Sequence, residues 1–129
     1  LLDAFGARVL AVTRSGTPVP VQVETLPSDR TSEVWSRADH FVIAAPATAA
    51  TAQIVDKDAL AQMKSTAWIV NVARGSLVDT AGLVDALRAG SIGGAALDVT
   101  DPEPLPGGHP LWTLPNAIIT RTWRIRRPV

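Results

Sequence analysis

Short continuous runs of apolar residues recur along the chain, and polar stretches separate them. Each run is shorter than an ordinary helix and has the length of a buried β-strand. The pattern therefore predicts five strands, at residues 8–13, 41–45, 67–72, 94–99 and 117–120.

Helical periodicity occupies segments between these runs, and residues 80–89 (TAGLVDALRA) give the clearest case. Leu83, Val84 and Leu87 share one helical face, which is typical of a helix packed against a core. Gly90 follows the last periodic residue and is expected to end the helix.

Three weaker helical signals accompany this helix. Residues 31–38 and 56–64 are each predicted to form a short helix, and Asp56 is the expected N-cap of the second. The opening segment LLDAFG is predicted to be the last turn of a helix that stops at Gly6.

Apolar strands that alternate with helices indicate the α/β class, with a doubly wound, mostly parallel sheet covered on both faces. Sheets of this kind bind ligands at the carboxyl ends of their strands. Polar residues cluster at those predicted ends, in the segments Thr13-Arg14-Ser15, Pro46-Ala47-Thr48 and Ala73-Arg74-Gly75 and at Asp98.

Composition narrows the functional classes. The 129 residues are enough for one domain, and 12 basic against 12 acidic residues give zero formal net charge. Without the four arginines of residues 121–129, 8 basic residues stand against 12 acidic ones. Residues 1–120 are therefore not expected to bind nucleic acid. No apolar run approaches the ~20 residues of a membrane span, and the absence of Cys fits a cytoplasmic protein.

Two charged residues are candidates for substrate chemistry. Arg74 follows the third predicted strand, where its guanidinium would face the ligand cleft and match a carboxylate with two hydrogen bonds. An ordinary surface arginine fits that position equally well. Glu103 lies between Pro102 and Pro104, which would hold its carboxylate in place to orient a histidine. Taken by itself, Glu103 is more simply a loop acid.

The first predicted strand ends at Thr13 and is followed by Arg14 and Ser15, at the place where a dinucleotide-binding fold contacts the adenosine ribose. An acid there would accept a hydrogen bond from the 2′-hydroxyl, whereas an arginine accommodates a 2′-phosphate. This turn has no acid, which favours NADP, although a solvated turn is the alternative.

Asp98 could accept a hydrogen bond from a ligand amide or cap its loop, and His109 is expected to be structural or exposed.

The segments NVARGSLVD, ALDVTDPEPLPGGHPLW and VIAAPATAAT together resemble the NAD-binding half of the D-isomer-specific 2-hydroxyacid dehydrogenases. The similarity extends to the glyoxylate/hydroxypyruvate reductase and phosphoglycerate dehydrogenase branches, and it covers residues 1–120. It implies an incomplete Rossmann-like domain that uses NADP or NAD and takes a small 2-keto or 2-hydroxy acid. It also implies that the parent enzyme is a homodimer.

The resemblance implies roles for individual residues. Arg74 would bind the carboxylate of a 2-keto acid and polarise its carbonyl. Glu103 would hold a histidine that passes a proton to the carbonyl oxygen while hydride arrives from the nicotinamide. Asp98 would contact the nicotinamide carboxamide, and the cofactor cleft would be lined by Ala45, Pro46, Val72 and Ala73.

The chain departs from the family pattern at three points. The GxGxxG loop is absent and is expected upstream of LLDAFG, together with the first strand. The substrate domain is absent as well, and Arg121 and Thr122 stand where the family has Pro-His. We therefore expect a fragment that is inactive as written, with poorly paired edges at residues 41–45 and 67–71. The alternative is a non-catalytic module that binds a nucleotide or a partner.

Residues 121–129 (RTWRIRRPV) form a basic tail outside the resemblance. One possible coding of this segment, read with a single extra C in front, gives Pro-His-Val-Ala-Asn-Pro-Pro-Ala-Gly, which continues the family pattern. We interpret the tail as an out-of-frame reading of the gene. The alternative is a genuine tail for nucleic acid or anionic lipid.

Overall fold

The computed structural model describes residues 2–19 and 23–120, so the basic tail lies outside the described residues. The strands are β1 (Leu10–Thr13), β2 (Glu24–Pro27), β3 (His40–Ile43), β4 (Trp68–Asn71), β5 (Gly94–Leu97) and β6 (Ala117–Ile119). The α-helices are α1 (Ser32–Trp35), α2 (Lys57–Gln62) and α3 (Thr80–Ala89). Short 3-10 helices cover Asp3–Phe5, Ser28–Arg30, Gly75–Leu77 and Pro110–Trp112.

All strand pairings among the described residues are parallel, which confirms the predicted α/β class. β3, β4, β5 and β6 form a four-stranded sheet in that order, and β1 and β2 form a separate two-stranded sheet. In the larger sheet, Val42 lies opposite Val70, Val70 opposite Ala96, and Ala96 opposite Ile118. Because all three pairings in this sheet are parallel, the carboxyl ends of the four strands lie along one edge.

Two features of the sheets differ from the prediction. β2 was not expected, because ETLP is short, ends in a proline without an N–H, and buries only Leu26. The expectation of a poorly paired edge at residues 67–71 is wrong, since β4 pairs with β3 on one side and β5 on the other. β3 is the edge strand of the four-stranded sheet, as expected for residues 41–45.

One face of the larger sheet carries the core. Phe41 and Ile69 point into a cluster of buried side chains that also includes residues of all three α-helices, among them Trp35, Leu60 and Leu83. The rings of Trp35 and Phe41 lie 5.4 Å apart between centroids. Burial of such large side chains contributes roughly 1.5–3 kcal/mol each, so this face supplies most of the stability.

The opposite face of the sheet is largely open within the described part of the chain. Val42 is 61% exposed and Ile118 is 51% exposed, although both lie in strands. The expectation that both faces are covered is therefore wrong for these residues. The reason is that α1, α2 and α3 all contribute their buried side chains to the same core cluster.

The helix ends follow the predicted capping chemistry. Asp56 Oδ1 accepts a 2.8 Å hydrogen bond from the Ala59 N–H and begins α2. Gly90 has a φ of 66° and ends α3, a left-handed conformation that favours glycine. Gly6 likewise has a φ of 76°, although the turn before it is 3-10 rather than α-helical.

The smaller sheet shares the core of the larger one, and an ion pair joins β2 to the segment after α1. Leu26 of β2 belongs to the same buried cluster as Val34 of α1. Arg37, just after α1, donates through both terminal nitrogens to Glu24 at 2.9 and 2.7 Å. This guanidinium fork lowers the pKa of the Glu24 carboxyl from its ordinary value. The smaller sheet is thereby attached to the rest of the domain.

Candidate functional site

The carboxyl ends of the larger sheet are joined beyond the strands themselves. The Asp98 N–H donates to the Asn71 carbonyl at 3.0 Å, and the Thr120 N–H donates to the Leu97 carbonyl at 3.0 Å. These bonds extend the ladder and hold the segments after β4, β5 and β6 side by side. This edge is where parallel α/β sheets bind their ligands.

Arg74 lies at this edge, three residues after the end of β4. Its side chain is exposed, and its backbone is extended, with φ −147° and ψ 144°. One terminal nitrogen donates a 2.7 Å hydrogen bond to the Ala73 carbonyl. That bond uses only one of the five guanidinium N–H donors, so the others can donate a pair of hydrogen bonds to a ligand carboxylate.

Gly75 brings the loop after β4 against the loop after β5. A Cβ on Gly75 would lie 2.1 Å from the carbonyl atoms of Thr100 and 2.5 Å from the Asp101 nitrogen. Thr80 Oγ1 also donates to the Asp101 carbonyl at 2.8 Å. The loop that presents Arg74 and the loop that leads to Glu103 are therefore packed directly together.

Substitution Gly75→Ala is expected to destabilise the fold by ~1–3 kcal/mol. The new Cβ would overlap backbone atoms of Thr100 and Asp101, which cannot move aside as a flexible side chain would. Gly107→Ala is the matched control, since nothing lies within 4 Å of a Cβ at that position. Urea unfolding at low protein concentration measures both. Equal stability of the two variants would contradict the close approach of the loops.

Glu103 is exposed on the second loop, which is anchored further along the chain. Leu105 is buried, and the His109 ring accepts a 3.2 Å hydrogen bond at Nδ1 from the Leu111 N–H. The prediction that His109 is structural or exposed is confirmed, because its ring caps the 3-10 helix that follows. Glu103 thus projects from a loop whose far end is fixed.

Asp98 has a partner that sequence analysis did not identify. Thr120 Oγ1 donates a 2.6 Å hydrogen bond to Asp98 Oδ1, from the end of the neighbouring strand. The bond holds the carboxylate at the sheet edge. No sequence pattern around Thr120 predicts this bond, because it forms only when β6 lies beside β5 in the sheet.

The predicted cofactor-lining residues Ala45, Pro46, Val72 and Ala73 follow two adjacent strands, β3 and β4. The Pro46 carbonyl accepts a 2.6 Å hydrogen bond from the hydroxyl of Thr51, which organises the turn after β3. Val72 is 54% exposed, so its side chain is available at the sheet edge. The Val72 N–H also donates to the Ile43 carbonyl at 3.4 Å, so the segments that carry these residues leave the sheet side by side.

Thr13 is the last residue of β1 in the smaller sheet, and Arg14 and Ser15 follow it directly. Arg14 and Ser15 are exposed, and the Arg14 carbonyl accepts a 3.3 Å hydrogen bond from the hydroxyl of Ser28. Thr13 Oγ1 is buried and has no hydrogen-bond partner within residues 2–19 and 23–120.

Asn71 is the functional candidate that the sequence analysis missed. It is 1% exposed at the end of β4 and is the one buried polar side chain in the described part of the chain. Its amide Nδ2 donates to the Arg74 carbonyl at 2.9 Å, and its Oδ1 accepts from the Ala73 N–H at 3.1 Å. The available signal was a single polar residue within the apolar run AWIVNV.

The described residues contain no cluster of three His, Cys, Asp or Glu side chains that could hold a metal ion. None of their helices combines the length and the apolar character that a bilayer crossing requires.

A parallel α/β sheet with exposed polar groups along its carboxyl edge is the arrangement in which dinucleotide-binding domains, among other α/β folds, bind their ligands. The chain belongs to the D-isomer-specific 2-hydroxyacid dehydrogenase family, because the model of that family's NAD-binding domain matches residues 1–121. The resemblance found in the sequence is therefore confirmed.

Individual relatives agree with this assignment. The chain is 45% identical to human glyoxylate reductase/hydroxypyruvate reductase over 89 residues, covering 69% of this chain and 27% of that protein. It is 35% identical to a D-isomer-specific 2-hydroxyacid dehydrogenase from Xanthobacter autotrophicus solved with NADPH, at a TM-score of 0.84 and covering 92% and 38% of the two chains.

A second solved structure matches an equal share of the chain. D-lactate dehydrogenase from Lactobacillus jensenii, solved with NAD+, is 32% identical at a TM-score of 0.79, with 92% and 39% of the two chains covered. The chain thus spans less than two fifths of the length of these three relatives.

Proposed function

We propose that this chain is part of the cofactor domain of an NAD(P)-dependent oxidoreductase that interconverts 2-keto acids and D-2-hydroxy acids. The observation that carries the proposal is the packing of the Arg74 loop against the loop that leads to Glu103, at the carboxyl edge of the sheet. A carboxylate-binding cation and a carboxylate that can orient an acid–base group are what reduction of a 2-keto acid requires.

Each charged residue has a distinct task in this proposal. Arg74 binds the substrate carboxylate through its guanidinium fork and draws electron density from the adjacent carbonyl. Glu103 orients the imidazole that gives its proton to the carbonyl oxygen in reduction and takes it back in oxidation. Asp98, held by Thr120, accepts a hydrogen bond from the cofactor's carboxamide. The bound nicotinamide supplies or accepts the hydride at the substrate carbon.

We infer further that the 129-residue polypeptide does not catalyse this reaction alone. The family pattern has Pro-His after the last strand, whereas this chain has Arg121 and Thr122. A threonine hydroxyl is too weak an acid to replace an imidazole at neutral pH. A cytoplasmic, homodimeric parent enzyme remains part of the proposal.

An out-of-frame origin of the tail is supported by the family match, which ends at residue 121. Resequencing the coding DNA tests it directly. A base missing just before the tail codons is expected, and an intact frame with no such loss would refute this origin. Salt-sensitive binding to DNA or anionic vesicles, lost when residues 121–129 are deleted, would instead indicate a functional basic tail.

A chimaera tests the proposed function. Residues 1–120 replace the matching segment of Lactobacillus jensenii D-lactate dehydrogenase, which contributes the remaining parts of an enzyme. We expect D-lactate-dependent formation of NADH or NADPH, measured by absorbance. A non-catalytic nucleotide-binding module would bind the coenzyme in the same folded chimaera, as seen by fluorescence titration, and would give no turnover.

Arg14 is expected to make the chimaera prefer NADP+, although its host was solved with NAD+. The exposed guanidinium can pair with a 2′-phosphate, and the turn has no acid to receive a 2′-hydroxyl. Arg14→Asp should shift the ratio of kcat/KM values toward NAD+ by about tenfold or more, about 1.4 kcal/mol. Arg88→Asp, which makes the same charge change at an exposed residue in the last turn of α3, is the control. An unmutated chimaera that favours NAD+ tenfold would contradict this interpretation of the turn.

A further inference from the structure

The carboxamide of Asn71 forms hydrogen bonds through both its nitrogen and its oxygen to one short stretch of backbone. Nδ2 donates to the Arg74 carbonyl at 2.9 Å, while Oδ1 accepts from the Ala73 N–H at 3.1 Å. The side chain is 1% exposed, so water cannot readily take over either bond. Asn71 therefore joins the end of β4 to the loop on both sides of the Ala73–Arg74 peptide.

Only a carboxamide of this length satisfies both bonds. Aspartate would keep the acceptor for the Ala73 N–H, but it would bring a carboxylate oxygen against the Arg74 carbonyl in place of a donor. Leucine has a similar size and would supply neither bond. A buried partner left without its hydrogen bond is costly, so either substitution should release the loop.

The guanidinium of Arg74 depends on the same peptide. The Ala73 N–H is held by Asn71, and the Ala73 carbonyl accepts the 2.7 Å hydrogen bond from Arg74. On the far side, Gly75 is pressed against Thr100. The backbone that carries Arg74 is thus held from two sides, by Gly75 against Thr100 and by the side chain of Asn71.

We propose that Asn71 is a positioning residue for Arg74: it sets the orientation of the Ala73–Arg74 peptide and thereby the place from which the guanidinium reaches a substrate carboxylate. The identity of that ligand rests on the proposed function, whereas the positioning itself rests on the hydrogen bonds. Displacement of a binding group by about 1 Å can reduce a reaction rate by ~10²-fold, so a residue that does not touch substrate can matter strongly.

Amide hydrogen exchange tests the positioning independently of catalysis. In both the full chain and the chimaera, Asn71→Leu should accelerate exchange of the Ala73 amide by about fivefold to tenfold or more. Asn71→Asp should accelerate it less, because the acceptor is retained. Asn116 is the matched control, since its Nδ2 also donates to a backbone carbonyl, that of Leu87 at 3.1 Å, away from the site. Exchange at Ala73 that responds equally to Asn116→Leu and Asn71→Leu would overturn the proposal.

Kinetics of the chimaera then separate positioning from general stabilisation. Asn71→Asp should raise KM for D-lactate by ~10-fold or more and lower kcat, whereas the Kd for the coenzyme should rise far less, because Val72 and Ala73 are only part of the predicted cofactor cleft. In an Arg74→Ala background the same substitution should have almost no further effect, because its action passes through Arg74. Equal loss in both backgrounds would mean a merely structural role and would overturn the proposal. A folded wild-type chimaera without turnover would count against the proposed function, and the exchange result would still decide the role of Asn71.

Discussion

In the chimaera, Arg74→Ala is expected to lower kcat/KM for D-lactate by ~10²–10³-fold, through a higher KM and a lower kcat. The guanidinium is the exposed cation at the carboxyl edge of β4, and removing one partner of a desolvated charge pair costs about 2–5 kcal/mol. Each 1.4 kcal/mol corresponds to a tenfold change. Steady-state kinetics with saturating coenzyme measure both constants.

Two variants make this measurement specific. Arg74→Lys keeps the charge but loses the planar fork, so it should recover only part of the activity. Arg88→Ala removes an exposed arginine in the last turn of α3 and should leave both constants unchanged. A chimaera in which Arg74→Ala behaves like Arg88→Ala would show that the substrate carboxylate is bound elsewhere.

The unmodified 129-residue polypeptide is expected to give no detectable turnover with D-lactate or glyoxylate. Loss of a general acid alone typically reduces a rate by ~10²–10⁴-fold. In addition, Thr122 occupies the position at which the family has histidine, so Glu103 has no imidazole to orient. Thr122→His alone should not restore activity, because the groups that enclose the substrate are not supplied by that change. Turnover that survives Arg74→Ala would contradict both the inferred defect and the assigned site.

The same polypeptide should associate as its concentration rises. β3 has one unpaired edge among the described residues, and Val42 and Ile118 expose apolar surface on the open face of the sheet. Such edges and faces recruit other chains. Light scattering and a melting curve at several concentrations measure this, with the chimaera as the control. A sharp, cooperative melt of a monomer at all concentrations would contradict it.

The elements that follow from local chemistry were predictable from the sequence. Asp56 begins α2 and Gly90 ends α3, because capping depends on one or two residues close in the chain. The apolar runs that became β3 and β4 were equally clear. In contrast, β2 has only one buried residue, Leu26, and its pairing with β1 depends on contacts that no periodicity encodes.

The candidate site was predictable only in part. Arg74 and Asp98 were identified because polar residues follow apolar strands at the ligand-binding edge. The bond from Thr120 to Asp98 joins residues 22 positions apart and depends on the order of β5 and β6. The two hydrogen bonds of the Asn71 side chain depend on the path of the backbone at residues 73 and 74, which the strand pattern does not specify.

The most direct test of the account follows the hydride itself. The chimaera is incubated with D-lactate deuterated at C2 and with NADP+, and the coenzyme is recovered and analysed by mass spectrometry and NMR. We predict that deuterium appears on the nicotinamide ring, and that the Arg74→Ala variant transfers it far more slowly than the Arg88→Ala variant. A folded chimaera that binds NADP+ but returns it without deuterium would contradict the assignment of this chain to the cofactor domain of a working 2-hydroxyacid dehydrogenase.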